Sequence, residues 1–116
     1  MNISYTLNSI LTEYSSGSKK SAYKKFKKIY LKNNKDIKLR YNLAVMQQEL
    51  GLLDEAETNY ISLIKNNEDT KYKINLYNLY ITKKLYQNAL DIINSIQSTK
   101  LSLIKVNQDK AYILYL

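Results

Sequence analysis

The chain of 116 residues contains no cysteine, no histidine, no proline and no tryptophan, and it has two glycines. Without cysteine and histidine there is no thiolate nucleophile, no disulfide, no imidazole base and none of the usual zinc ligands. The scarcity of glycine and proline removes the punctuation that tight hairpins and short strands need, which favours a mostly helical fold. Long apolar runs are also lacking. No stretch approaches the roughly 18 apolar residues of a membrane span, and "MNISYTLNSILTEYSS" has neither a basic leader nor an apolar segment of secretory length. A cytoplasmic protein with no membrane association is expected.

What is present suffices for a modest core. Hydrophobic residues make up 45% of the chain and charged residues 24%, the balance of a folded domain rather than a disordered tail. The net charge of +8 comes from 17 lysines and one arginine against ten acids. Sites built for phosphate draw on arginine's planar fork as well. A lysine excess accompanied by abundant Asn, Ile and Tyr is the composition of an AT-rich genome, so nucleic acid is not the favoured partner. The lysines concentrate in "KKSAYKKFKKIYLKNN", where Ala22, Tyr23, Phe26, Ile29 and Tyr30 share one arc of a helical wheel and lysines fill most of the rest.

Self-comparison reveals a repeat. "GSKKSAYKKFKKIYLKNN" from Gly17 aligns with "GLLDEAETNYISLIKNN" from Gly51, matching Gly17 to Gly51, Ala22 to Ala56 and Phe26 to Tyr60 at a spacing of 34. Leu31-Lys-Asn-Asn then matches Ile64-Lys-Asn-Asn after one deletion. A third copy, "KLYQNALDIINSI", sets Ala89 33 residues after Ala56, with Ile93 in the aromatic's place. Upstream of each copy lies a second helical pattern: Ile3, Leu7, Ile10, Leu11 and Tyr14; then Leu39, Leu43, Ala44 and Leu50; then Ile74, Leu76, Tyr77, Tyr80 and Ile81. Each unit is thus two helices. Gly17 and Gly51 can end the first helix with positive φ, whereas the third unit has Lys84 there; the Asn-Asn pairs at 33–34 and 66–67 are expected to end the second helix similarly. Asp36 and Thr70 stand where the next helix needs an N-cap. The alanines allow close helix crossing and the aromatic one turn later fills the space beside them.

A two-helix unit of about 34 residues with this small-and-aromatic pattern resembles the tetratricopeptide repeat. The resemblance implies an all-α fold, a right-handed superhelical stack of antiparallel helix pairs forming an α-solenoid. One domain over 1–116 is expected, with units at about 3–35, 36–69 and 70–99 and a terminal helix at about 103–116. Departures from the family pattern are the absent prolines, Arg40 in place of a large aromatic, and the missing third glycine. The apolar end "AYILYL" has no polar cap, so either the natural chain continues or this end associates with another copy.

The resemblance also implies that the first helices of successive units line a concave groove. In the repeat register Asn8, Asn42 and Asn75 coincide, at spacings of 34 and 33. Such a row can hydrogen-bond to the backbone of an extended peptide, and it resembles the asparagine ladder of a glycosyltransferase's repeat superhelix. The alternative is that each asparagine satisfies neighbouring backbone groups. Lys38, Tyr41, Val45 and Gln48 in the second unit, and Lys71, Ile74, Asn78 and Ile81 in the third, are expected on the same face, a mixture suited to an extended peptide, an acidic one included. Leu7 and Leu11 stand where the family's carboxylate clamp needs lysine and asparagine, which excludes that chaperone-adaptor mode. Tyr23, Tyr30 and Tyr60 read as packing residues. Asp54, Glu55 and Glu57 read as carboxylates at the positive end of a helix. No catalytic residue, metal site or cofactor is expected. The favoured function is therefore a non-enzymatic protein-interaction scaffold. The alternatives are a substrate-recruiting region of a larger glycosyl- or sulfotransferase and a basic nucleic-acid-binding protein.

Overall fold

The computed structural model describes residues 3–96, and among them every regular element is an α-helix. These are α1 (Ile3–Ser15), α2 (Lys19–Lys32), α3 (Ile37–Glu49), α4 (Leu53–Asn66), α5 (Thr70–Thr82) and α6 (Tyr86–Asn94). The architecture is an all-α, tetratricopeptide-like helical repeat. The helix expected at about 103–116 lies outside the described residues. None of the described helices is long and apolar enough to cross a membrane.

The turns between α1 and α2, α3 and α4, and α5 and α6 are one structure made three times. Gly17 (φ 109°), Gly51 (φ 82°) and Lys84 (φ 62°) take the left-handed conformation. Each following amide reaches back five residues to a helix carbonyl: Ser18 to Glu13 at 3.2 Å, Leu52 to Gln47 at 2.8 Å and Leu85 to Tyr80 at 2.8 Å. This is the Schellman closure, which satisfies carbonyls that the helix end leaves open. The same residue then starts the next helix, because the amides of Ala22, Ala56 and Ala89 bond to the carbonyls of Ser18, Leu52 and Leu85 at 3.0 to 3.1 Å. The third turn therefore keeps the geometry with a lysine where the other two have glycine.

The second helices end differently from expectation. Among the described residues no asparagine has positive φ, and Asn33 at the end of α2 has φ −134°. The asparagines instead fold their side chains back. The amide of Asn33 donates to the Ile29 carbonyl at 2.8 Å, and those of Asn66 and Asn67 donate to Ser62 and Leu63 at 3.0 Å each. An amide donor supplied by a side chain closes the helix without the steric cost of a left-handed backbone.

The N-caps need one correction. Asp36 caps α3 as expected, accepting from the Leu39 amide at 3.0 Å. For α5 the cap is Asp69, which accepts from the Lys71 amide at 3.0 Å, and Thr70 is the first helical residue. A carboxylate next to a hydroxyl wins the position, because it also meets the positive end of the helix dipole.

The deletion is displaced as well. α2 and α4 are each 14 residues and begin 34 apart, so no residue is lost within them. The shorter spacing arises between Lys32 and Ile37 on one side and Asn66 and Thr70 on the other. A one-residue slip inside a helix would rotate its buried face by about 100°. A loop absorbs it without that penalty.

The chain folds as two compact units that divide at Asn59 and Tyr60, within α4. In the first, α1 packs on α2 and α2 on α3 around Ile10, Ala22, Phe26, Tyr30, Leu39, Leu43 and Met46. In the second, α5 packs on α6; the buried residues are Tyr72, Leu76, Tyr77, Leu79 and Tyr80 on α5 and Ala89 and Ile93 on α6. Ala22, Ala44, Ala56 and Ala89 are all fully buried, and so, within 1%, are Phe26, Tyr60 and Ile93. Burial of each of those three large side chains stabilises its unit by about 2–3 kcal/mol.

Candidate functional site

Helices α1, α3 and α5 are each 13 residues long, and the sixth residue of each is an asparagine: Asn8, Asn42 and Asn75. The coincidence in sequence register is thus also a coincidence in helix position. Asn8 and Asn42 are exposed and Asn75 is half-buried. The amides of Asn8, Asn42 and the neighbouring Asn78 have no hydrogen-bond partner within the described chain. Backbone satisfaction by the side chain, the alternative for "YNL", is therefore not what Asn42 does.

The other residues expected beside them keep to one face of their own helices. On α3, Lys38, Tyr41, Asn42, Val45 and Gln48 follow at steps of three or four residues, the spacing of a single stripe. On α5, Lys71, Ile74, Asn75, Asn78 and Ile81 do the same. None of these residues is buried; Tyr41, Val45, Gln48, Ile74, Asn75 and Ile81 are half-buried, and the lysines and Asn78 are exposed. Each helix therefore carries a half-apolar stripe at its surface, with the buried Leu39, Leu43 and Met46 of α3 on other sides. Lys71 is held beside Asp69 at 3.5 Å and over the Tyr72 ring at 5.5 Å.

Several polar contacts that sequence reasoning did not foresee fix the first unit. Gln47 is buried, donating to the Tyr23 hydroxyl at 3.1 Å and accepting from the Asn59 amide at 2.7 Å. It joins α3 to α2 and α4 through a satisfied polar junction, which an apolar-periodicity search cannot detect. Arg40 donates from Nε to the Tyr30 hydroxyl at 2.7 Å and lies 5.7 Å from the centre of that ring. The aromatic expected at position 40 is in effect supplied by Tyr30 from the neighbouring helix. Tyr14 donates to Glu49 at 3.0 Å; burial, helped by that bond, pushes its phenol up to about 12. Glu13 accepts from Lys25 Nζ at 2.8 Å, and Lys25, with Ser21, holds its carboxyl below the ordinary value.

Among the described residues no three of His, Cys, Asp and Glu come together to hold a metal ion. Asp54 and Glu55 occupy the first turn of α4, where they complement the helix dipole.

No protein-family model and no curated protein matches the sequence. Among solved structures, the fold is similar to the Yersinia enterocolitica type III secretion chaperone SycD, crystallised in complex with a peptide of the translocator YopD. The TM-score is 0.72 over 97% of this chain and 89% of that one, at 14% sequence identity. At that identity the likeness is one of fold.

Proposed function

We propose that the chain is a non-catalytic helical-repeat module that holds an extended segment of a partner protein, the first unit offering Asn8 of α1 and the surface stripe of α3, and the second offering the stripe of α5. In this reading the units run about 3–35, 36–69 and 70–99, and the asparagines contact the partner's backbone. The observation that carries it is the recurrence of asparagine at the sixth residue of three 13-residue helices, with Asn8 and Asn42 bearing unpartnered amides. An amide offers a donor and an acceptor at once, which matches the peptide backbone and is indifferent to its side chains. Tyr41, Val45 and Ile74 beside the asparagines supply apolar surface, and Lys38 and Lys71 favour acidic residues in the bound segment. The similar fold of SycD, solved with a translocator peptide, supports the assignment.

The test uses a peptide selected against the wild-type chain from a random display library. Replacing Asn42 and Asn75 together by Ala should remove about 2 kcal/mol of binding, a loss of roughly thirtyfold in affinity. The helical circular dichroism should be unchanged, because neither residue is buried. Equal affinity for the double variant would remove the asparagines from the binding face.

A further inference from the structure

The repeat register exposes a difference between the first unit and those that follow. The third residue of α3 is Leu39 and that of α5 is Tyr72, both 5% exposed, whereas the third residue of α1 is Tyr5, 70% exposed. The seventh residues repeat the contrast: Leu43 and Leu76 are buried and Ser9 is exposed. For α3 the cover is visible, because Leu39 and Leu43 pack in one cluster with Phe26 and Tyr30 of α2. On α1 the equivalent surface is open. It forms one wall of a cleft of about 380 Å³ whose lining includes Tyr5, Ser9, Ile10 and Ile29 together with the charged Glu13, Lys25 and Lys28.

The charge beside this cleft has one sign. Lys25, Lys28 and Lys32 form a row along α2 at steps of three and four residues. Among the described residues Lys25 alone of these has an acidic partner, Glu13, and the lysine side chain of that pair is 57% exposed. Lys28 and Lys32 have none. Seven lysines in the 14 residues of α2, with no acid, repel one another along the helix, so the pattern opposes folding rather than serving it. The Glu13 carboxylate shows where an acidic group of a ligand would be received.

We propose that the open end of the first unit, the cleft between α1 and α2 with its lysine row, docks an acidic amphipathic helix of a partner protein. The shape argument is that a helix fills the equivalent place on α3. The charge argument selects the partner: apolar side chains enter against Tyr5, Ile10 and Ile29, and carboxylates spaced along one helical face meet Lys25, Lys28 and Lys32. A second copy of this chain is disfavoured by like charge, since the net charge is +8 and the row itself is purely basic. Nucleic acid is disfavoured because the single arginine, Arg40, is engaged with Tyr30. An anionic membrane is disfavoured by shape, because the apolar lining is a recess in which Ile10 is 5% exposed, a form that a side chain of a helix can enter and a bilayer surface cannot.

The experiment uses a synthetic helical peptide with leucines along one face and glutamates flanking them, and a matched peptide with glutamine for every glutamate. The full chain should bind the glutamate peptide at least about tenfold more tightly than the glutamine peptide, and K28E with K32E should weaken that binding at least about tenfold. Those charge reversals lie on exposed positions and reduce repulsion within α2, so folding, followed by circular dichroism, should be retained. Tyr5→Ala should weaken both peptides, since it removes apolar contact alone. Asn42→Ala with Asn75→Ala should leave this binding unchanged, which separates the cleft from the stripes of α3 and α5. Equal affinity for the two peptides, or no effect of the charge reversals, would overturn the proposal. So would a uridine oligonucleotide or a phosphatidylserine vesicle binding where the glutamate peptide does not, or a dimer in sedimentation equilibrium that Tyr5→Ala dissolves.

Discussion

Lys84 is the residue at which local cost and repeat geometry are most directly opposed. Its φ of 62° places a side chain in the left-handed region, which costs a non-glycine residue about 1–2 kcal/mol. The Schellman bonds of that turn, 3.0 Å from the Lys84 amide to Ile81 and 2.8 Å from Leu85 to Tyr80, hold it there. Lys84→Gly relieves the strain but frees the unfolded chain, an opposing effect of about 0.4–1 kcal/mol. The net expectation is a stabilisation of about 0.5–1 kcal/mol, read as a higher urea midpoint with an unchanged slope. Gly51→Ala is the converse and should lose a similar amount. An added Cβ at Gly51 meets nothing within 4 Å, so its penalty is purely one of backbone conformation. From the sequence, a lysine at this place is indistinguishable from a broken turn. What reveals the retained turn is its hydrogen bonding, which propensity does not encode.

At the scale of the helix, α2 and α4 are matched in length and in the buried pairs Ala22 with Phe26 and Ala56 with Tyr60, but not in charge. The second residue of α2 is Lys20 and that of α4 is Asp54, and each stands in the first turn, where the dipole favours an acid. Lys20→Glu should therefore stabilise the chain by about 0.5–1.5 kcal/mol: it removes repulsion with Lys24, adds an attractive pair in the favoured order, and meets the dipole. Thermal unfolding of the variant at low and high salt checks this, and the gain should shrink as salt screens it. Which residues are buried was largely readable in advance, since Ala22, Phe26, Ala56, Tyr60, Ala89 and Ile93 follow from the alignment of the three repeat copies. Helix ends were less so. Asp69 instead of Thr70, and asparagine side chains instead of left-handed asparagine backbones, are choices among residues that all suit a terminus. The candidate stripe was legible because a repeat register carries position from one helix to the next. The open cleft beside Tyr5 was legible in the same register only once Leu39 and Tyr72 were known to be buried.

For the whole molecule, the net charge of +8 sets how stability responds to pH. Neutralising the ten acids leaves 18 positive charges, so acidification adds self-repulsion that salt relieves. Glu13 acts in the same direction: its folded value lies below 4.5, so the unfolded chain takes up the proton first, and the stabilisation present above that value is lost as pH falls through the folded one. Tyr14 governs the alkaline side. Its phenol moves from 10.0 to about 12 on folding, so the folded chain holds the proton longer. That contribution is complete below pH 10 and is lost as pH rises through 12. Lysine deprotonation relieves repulsion over the same range and would obscure the effect in the wild type alone. The difference between the wild type and Tyr14→Phe separates the two, because both chains carry the same lysines. The difference in urea midpoint should be constant from neutral pH to about 10 and shrink toward 12, the phenylalanine having no proton to lose. A difference that stays constant across that window would mean that the hydroxyl bonded to Glu49 titrates as it does in the unfolded chain, and that the contact contributes through packing alone.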